Sequence, residues 1–183
     1  EIATLNQVIS KKKNLAKLVC DAIRYELKTD FAFQNIDGIR VNQIGKKVTY
    51  EDIYRMDPFN NQIVVLKMNK NELKSLIAYS LRRKSHPVLM GSNLIFKAKI
   101  NKERKIYQIQ LFDQNQKELL SKKQYIVAMN SYIFNAYQFK HSDQGKTLKL
   151  TSDQPVIRFL KIMGKSLPDY SKQKRIFVQI EQK

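Results

Sequence analysis

The sequence predicts a single α+β domain in which helices pack on a mixed β-sheet. The length is the first observation, because 183 residues suit one domain and are too few for two full-sized ones. Hydrophobic residues make up 43% of the chain, which is enough to build a packed core. Helical and strand patterns alternate along the chain, and the segment 93–130 is rich in strand patterns. We therefore expect residues 1–183 to form one domain.

The first element is a helix predicted over about 13–27. Its apolar residues recur at helical spacing, namely Leu15, Leu18, Val19, Ala22 and Ile23. The segment 31–33 follows as a short buried strand. Asp37 and Gly38 mark a turn, after which the chain continues as extended backbone over 39–41.

A capping pattern predicts a short second helix. Thr49 is followed three residues later by Asp52, which resembles a capping box that opens a helix ending at about Arg55. Pro58 ends that stretch, and the β-branched segment 62–68 is predicted to be a buried strand. Asn69 or Asn71 then caps a third helix, whose apolar face consists of Leu73, Leu76, Ile77 and Leu81.

The second half of the chain continues with strands. Segments 94–100 and 106–111 are predicted to form a hairpin around 101–105, and 125–129 is another strand. Pro155 stands at the start of a helix over 156–163, and 175–180 is a closing strand. We expect the first helix to pack on one mixed sheet that contains strands near 62–68, 94–100, 106–111 and 125–129. The segments after Pro58 and after residue 129 are predicted to be loops.

The charge of the chain bears on the class of partner. Lys and Arg number 34 and Asp and Glu number 16, so the formal net charge is +18. Such a surface attracts polyanions or nucleotides. The charge is mostly lysine, however, and it is scattered, with its densest runs at 11–13, 82–84 and 172–175. Arginine binds phosphate better than lysine does, because its guanidinium can form two hydrogen bonds to the same group. The excess of lysine therefore favours a solvated surface and argues against a nucleic-acid partner.

Several classes of protein and site are excluded by residue counts. A single cysteine, Cys20, rules out an internal disulfide and a cysteine-based zinc site. Two histidines, His86 and His141, are too few for a histidine-rich metal centre, and we expect both at the surface. No apolar run reaches about 18 residues, so no membrane span is predicted. The phosphate-binding loop, the dinucleotide-binding glycine pattern and the hydrolase nucleophile motif are also missing.

Three segments, taken in order, resemble the C-terminal domain of the 5'-nucleotidase family. They are NLAKLVCDAIR at 14–24 with DFAF at 30–33, QNIDGIR at 34–40, and VTYEDIYRMDPFNNQIVVLKM at 48–68 followed by NEL at 71–73. Later, VLMGS at 88–92 and YIVAMN at 125–130 match family strands. The resemblance covers roughly 5–165; it is strongest over 11–73 and weaker over 88–165.

The resemblance implies a hydrolase in which two domains cooperate. In that family an N-terminal metallophosphoesterase domain holds two divalent metal ions and cleaves the phosphate ester, and the C-terminal domain binds the nucleoside. The family's metal motifs, D.H, GNH and GH.H, have no counterpart here. We therefore expect no cofactor in this chain, no activity from the chain alone, and a catalytic domain on a partner chain or a removed segment. The family also implies a periplasmic, secreted or cell-surface location, and Glu1 opens the sequence without a visible leader, as expected of a trimmed fragment.

The resemblance also implies which residues bind the nucleoside or nucleotide. Asn35 and Arg40 match the asparagine and arginine of the family's NGGGIR, Phe59 matches its first stacking aromatic, and Asn61 matches a residue near the base edge. Tyr137 or Phe139 would supply the second ring, Asp143 the base-binding aspartate, and Lys11 a phosphate-directed cation. The two rings should face each other roughly 7 Å apart, with Asn35 and Arg40 on the wall of the cleft.

Two departures from the family pattern keep alternatives open. Ile36 and Asp37 stand where the family has glycines, and its GGDG loop is missing from the segment 130–139. A non-catalytic binding module with a decayed nucleotide site is therefore the main alternative. A polyanion-binding protein is the third, and it rests on charge alone.

Overall fold

The structure is a computed structural model that describes residues 1–83 and 89–181. Its five helices are α1 (Lys12–Leu27), α2 (Tyr50–Met56), α3 (Lys70–Arg82), α4 (Ser131–Ala136) and α5 (Asp153–Met163). The first four strands are β1 (Ala3–Thr4), β2 (Ile9–Ser10), β3 (Phe31–Asn35) and β4 (Gln43–Ile44). The next four are β5 (Lys47–Val48), β6 (Gln62–Met68), β7 (Leu89–Ser92) and β8 (Leu94–Asn101). The last four are β9 (Ile106–Asp113), β10 (Tyr125–Asn130), β11 (Lys146–Thr151) and β12 (Ile176–Glu181).

A five-stranded mixed sheet is the centre of the molecule. Its strand order is β11-β6-β10-β3-β7, in which β3 and β10 are parallel and the other neighbours are antiparallel. Side chains alternate between its two faces, as the strand period requires. Ala32 of β3 faces a first core with α1 and α5, whereas Phe31 and Phe33 face a second core with α3. The sheet is therefore covered on both faces.

The expected α+β class is confirmed, but the four strands expected in one sheet are divided between two. β8 and β9 form the predicted hairpin and pair with β12 in a separate three-stranded sheet, order β12-β8-β9. This sheet packs its apolar side, which includes Phe96, Ala98 and Leu111, against the second core. Hydrophobic patterning predicted the strands, but it does not encode which strands pair across long stretches of chain.

Local signals account for the helix starts. Thr49 accepts a hydrogen bond from the Asp52 backbone and Asp52 bonds back to Thr49, so the predicted capping box is present at α2. Asn69, one of the two candidates for the next helix, forms the same reciprocal bonds with Glu72 at α3. The segment after residue 129 is not a loop throughout, because Asn130 caps the short helix α4 through Ile133. The turn at Asp37 and Gly38 is a single turn of 3-10 helix.

Candidate functional site

One edge of the five-stranded sheet gathers most of the residues that the resemblance implicates. β3 and β10 are parallel, so Asn35 and Asn130 end at the same edge. β6 is antiparallel to β10, with Asn130 opposite Ile63, so β6 begins at this edge directly after Asn61. We call the carboxyl ends of β3 and β10 together with the amino end of β6 the site edge.

Arg40 and Phe59 form an exposed pair at the site edge. The backbone N–H of Arg40 donates to the Met56 carbonyl oxygen at 2.9 Å, which ties the turn after β3 to the end of α2. The Cζ atom of Arg40 lies 5.6 Å from the centroid of the Phe59 ring. Phe59 is 50% exposed, and within residues 1–83 and 89–181 Arg40 forms no ion pair. The pair therefore presents an aromatic surface and an unneutralised cation together.

Asp57 anchors the segment that presents Phe59. Its Oδ2 accepts a hydrogen bond from the Ser152 hydroxyl at 2.7 Å. Burial raises the pKa of the Asp57 carboxyl above its usual range, against the opposing effect of that bond. The backbone N–H of Ser152 donates to the Asn61 carbonyl oxygen at 2.9 Å. Both ends of the Phe59 segment are thus fixed to the residue that precedes α5.

Asn35 is buried in a hydrogen-bond network at the site edge. Its Nδ2 donates to Asp37 Oδ1 at 3.0 Å, and its Oδ1 accepts from Asn130 Nδ2 at 2.8 Å. A Cβ atom at Gly38 would lie 2.7 Å from Asn35 Nδ2, so only glycine fits there without a shift. Asn35 therefore holds the turn that leads to Arg40, and a contact of its amide with a ligand stays a prediction.

Asn61 follows Phe59 by two residues, and Lys11 is linked through its backbone to the segment after Arg40. The Oδ1 of Asn61 accepts from the Ser131 hydroxyl at 3.4 Å, which joins the start of β6 to the start of α4. Lys11 precedes α1 with a φ of 74°, and its backbone N–H donates to the Asn42 carbonyl oxygen at 2.6 Å. Asn42 follows Arg40 by two residues, so Lys11 lies beside the Arg40 turn.

Tyr137 lies in the second core, only 4% exposed. Its ring centroid is 5.0 Å from that of Tyr79 and 6.2 Å from that of Tyr132. The Cζ atom of Arg83 lies 5.1 Å from the Tyr137 ring centroid, and Arg83 also pairs with Asp37 at 3.8 Å. Burial, followed by the nearby Asp37 charge, raises the pKa of Tyr137. Tyr137 is therefore connected to the site edge through Arg83 and Asp37 but is enclosed by other rings.

Phe139 and Asp143 lie away from the site edge. The Phe139 ring centroid is 4.9 Å from that of His141, whose Nδ1 is 2.8 Å from the Asp143 carbonyl oxygen. The Asp143 carboxylate accepts from the backbone N–H groups of Lys67 at 2.9 Å and of Gly145 at 2.8 Å. Those two bonds lower the pKa of Asp143. Lys67 stands near the far end of β6, roughly 16 Å from its first residue at strand rise, so Asp143 lies toward the opposite edge of the sheet.

Sequence reasoning missed two residues near the site edge, Tyr132 and Arg83. Tyr132 follows the end of β10 by two residues and is 40% exposed. The Arg83 side chain forms a hydrogen bond with Tyr132, and it also contacts Asp37 and Tyr137. The Asn130 helix cap was the local signal that could have placed Tyr132 on the first turn of a helix at this edge. No local signal points to Arg83, because its contacts among the described residues come from distant segments.

The described residues offer no set of metal ligands. Across residues 1–83 and 89–181, no three His, Cys, Asp or Glu side chains are grouped so that they could hold an ion. The donor set here therefore does not fit a two-metal centre. His86 lies outside the described residues. Among the described helices, none has the length and apolar character to span a bilayer.

Comparison with known proteins gives a family match. The family described as "5'-nucleotidase, C-terminal domain" matches residues 2–140. A 5'-nucleotidase of Vibrio cholerae is 31% identical over 68 residues, which are 37% of this chain and 12% of that protein. Endonuclease YhcR of Bacillus subtilis is 35% identical over 63 residues, which are 34% of this chain and 5% of that protein.

Solved structures show the same fold. The 5'-nucleotidase precursor from Thermus thermophilus superposes with a TM-score of 0.82 at 18% identity over 97% of this chain and 39% of that one. The Haemophilus influenzae NAD nucleotidase gives a TM-score of 0.77 at 17% identity over 99% of this chain and 38% of that one. The chain thus spans less than half the length of each of these relatives.

Proposed function

Because this chain belongs to the family of 5'-nucleotidase C-terminal domains, we propose that it recognises the nucleoside part of a nucleotide for a 5'-nucleotidase-type phosphohydrolase. The observation that carries the proposal is the exposed Arg40–Phe59 pair at the site edge, 5.6 Å from Cζ to ring centroid. A nucleobase stacks on an exposed aromatic ring with a gain of about 1–3 kcal/mol. The reaction served is hydrolysis of a nucleoside phosphate ester to nucleoside and phosphate.

The cations near Phe59 suit the rest of a nucleotide. Arg40 has a fixed fork of donors for ribose or phosphate oxygens. Lys11 lies beside the Arg40 turn, through the bond from its backbone to Asn42. Neither side chain forms an ion pair within the described residues, so neither charge is neutralised before a ligand arrives. Asn61 supplies donors and an acceptor for a base edge.

We assign the second ring of the proposed site to Tyr132 rather than to Tyr137 or Phe139. Tyr132 is 40% exposed, whereas Tyr137 is 4% exposed and packed among other rings. Ser131, which precedes Tyr132, hydrogen-bonds to Asn61 at the start of β6. Because Asn61 follows Phe59 by two residues, this bond brings Tyr132 toward the Phe59 segment. Tyr132 therefore has both an accessible ring and a position at the site edge.

Titration with adenosine and with AMP by calorimetry tests the binding role. Phe59→Ala should weaken binding by about 1–3 kcal/mol, since it removes one stacking partner. Tyr132→Ala should weaken binding as well. Tyr54→Ala is the matched control, because it removes another exposed aromatic ring, on α2, and it should leave nucleoside binding unchanged. An unchanged affinity in Phe59→Ala would favour the alternative of a module whose nucleotide site has decayed.

We place the hydrolytic step, with the two metal ions that the family relationship implies, in a partner chain or another segment of a longer protein. The pure chain should then release no phosphate from AMP, even with Mn²⁺, Co²⁺ or Zn²⁺ present, because its described donors do not form a two-metal site. Phosphate release is measured with and without EDTA. Robust release that EDTA abolishes would contradict this assignment.

A further inference from the structure

The outer face of the three-stranded sheet continues into a second groove beside α3. The first groove, of about 450 Å³, crosses β12, β8 and β9, and its lining includes Lys97, Gln110 and Phe177. The second, of about 830 Å³, lies between α3 and β9, and its lining includes Tyr107 and Phe139. Gln108 lines both grooves, so they are contiguous. We call the two grooves together the basic track.

Side chains of this sheet alternate between the face that packs on the core and the face that lines the track. On β8, Lys97 and Lys99 are exposed, while their neighbours Phe96 and Ala98 are buried. The register places Phe177 of β12 beside Lys97, so the ring and the cation are direct cross-strand neighbours. Because alternate residues share a face, the outer face carries lysine, glutamine and phenylalanine side chains rather than a charged layer alone.

Cations and aromatic rings are interleaved along the track. The Nζ atom of Lys97 lies 4.8 Å from the ring centroid of Phe112 and 5.8 Å from that of Phe177. Lys174 Nζ lies 4.7 Å from the Phe177 centroid. In the second groove, Tyr107 is 50% exposed. The rings of Phe112 and Phe177 are therefore each accompanied by a positive charge.

Acidic side chains are missing from the lining of the track. None of the described residues that line either groove is Asp or Glu, although Glu118 interacts with Lys74 from outside the lining. Within residues 1–83 and 89–181, no ion pair involves any of the track's cations, which are Lys74, Arg82, Lys97, Lys99, Lys140 and Lys174. By contrast, Arg175, just beyond the track, is paired with Asp21 at 2.8 Å. The track is thus complementary to a polyanion.

We propose that the basic track binds single-stranded nucleic acid. Unpaired bases stack on aromatic rings with little sequence preference, and cations that follow the groove neutralise the phosphates. Gln108 and Gln110 offer donors and acceptors to base edges. A duplex keeps its bases inside the helix, so it can use only the cations, and the rings give the track its preference for single strands. This surface is separate from the site edge and does not depend on the proposed nucleoside site.

The experiment measures fluorescence anisotropy with labelled oligouridine and oligothymidine of about 12 nucleotides, and with a duplex of the same length. Both single strands should bind more tightly than the duplex. Lys97→Gln with Lys99→Gln should weaken single-strand binding about tenfold and reduce the slope of log affinity against log salt by about 1 to 2. Lys46→Gln with Lys47→Gln makes the same charge change at another exposed segment and should leave both quantities unchanged.

Aromatic variants separate stacking from charge. Tyr107→Ala should weaken single-strand binding by between about 5-fold and about 100-fold and leave duplex binding unchanged. Tyr54→Ala, another exposed tyrosine, is the matched control, and the thermal midpoint verifies that each variant is folded. Equal affinity for duplex and single strands, or an equal loss in both lysine pairs, would overturn the proposal and indicate general attraction of a basic protein to polyanions. Phe59→Ala should not change oligonucleotide binding; a loss there would place the strand at the site edge instead and also overturn it.

Discussion

Two arginine–aromatic pairs lie close to the same turn, and they differ in burial. Arg40 lies over Phe59 at 5.6 Å and Arg83 over Tyr137 at 5.1 Å. Phe59 is 50% exposed and Tyr137 is 4% exposed. A ring stacks on a base only where a face is accessible, so the two similar pairs have different capabilities. Burial, rather than residue type, separates a ring that is accessible to a ligand from a ring that is part of the core.

The largest expected effect concerns stability. Tyr137→Ala should lower the free energy of unfolding by about 3–5 kcal/mol, because it leaves a cavity among the rings of the second core. Phe59→Ala should lower it by no more than about 0.5 kcal/mol, because no core packing is lost. Urea unfolding of both variants measures the difference. Equal losses would show that the two rings do not differ in the way their exposure indicates.

A smaller difference is expected for the two arginines. Arg83→Met removes a cation from a buried ring and from Asp37 and should cost about 1–2 kcal/mol of unfolding free energy. Arg40→Met should cost about 0.5 kcal/mol, since its ring contact is exposed. The same two variants should reverse their order in AMP titrations, where Arg40→Met should cause the greater loss of affinity. If the same variant caused the greater loss in both unfolding and AMP titration, the assignment of Arg83 to stability and Arg40 to binding would be contradicted.

The smallest expected effect is on the pH dependence of stability. It concerns two carboxylates, Asp57 in the Phe59 segment and Asp143 toward the opposite edge of the sheet. Burial raises the pKa of Asp57, so its contribution to folding is greatest at low pH and is lost as pH rises through the folded pKa. Asp57→Asn still accepts from Ser152 and cannot ionise, so the variant should gain stability relative to the parent from about pH 3.5 to about pH 7.

Asp143 provides the opposite case. The backbone N–H groups of Lys67 and Gly145 lower its pKa, so its contribution is present above the unfolded pKa and is lost as pH falls through the folded pKa. Asp143→Asn should therefore lose stability relative to the parent over the same rise in pH. Urea unfolding across the pH series compares both variants. A trend of the same sign in the two would contradict the assigned environments.

Local chemistry explains why α1, α2, α3 and α5, and the longer strands other than β11, were predictable. The capping boxes at Thr49 and Asn69 involve residues three positions apart, and the apolar spacing of α1 follows from the helical repeat. β11 was missed because its alternation is polar and only partly buried, and its pairing with β6 comes from a distant segment. The separate three-stranded sheet was missed for the same reason, since the pairing of β12 with β8 joins segments that are far apart in the chain.

The candidate site divides in the same way. The resemblance placed Arg40 on the family's NGGGIR motif and placed Phe59 and Asn61 within the segment 48–68, which aligns with the family without a gap. The sheet register brings these segments to one edge. It left the second ring open between Tyr137 and Phe139, because the loop it relies on is missing from the segment 130–139. Only the folded chain separates the buried Tyr137 and the distant Phe139 from the exposed Tyr132.

The sequence by itself determined the family, the α+β class, the starts of all the helices except α4 and the lack of a histidine- or cysteine-rich metal centre, since these depend on composition, short spacings and a linear motif. Tertiary structure alone decided which rings are exposed, which cations lack a carboxylate partner and how the longer strands divide between the five-stranded and three-stranded sheets. Those properties depend on contacts between residues far apart in the chain, such as Arg83 with Asp37 and Phe177 with Lys97. Local patterns carry no information on such contacts, because exposure is a property of the packed molecule.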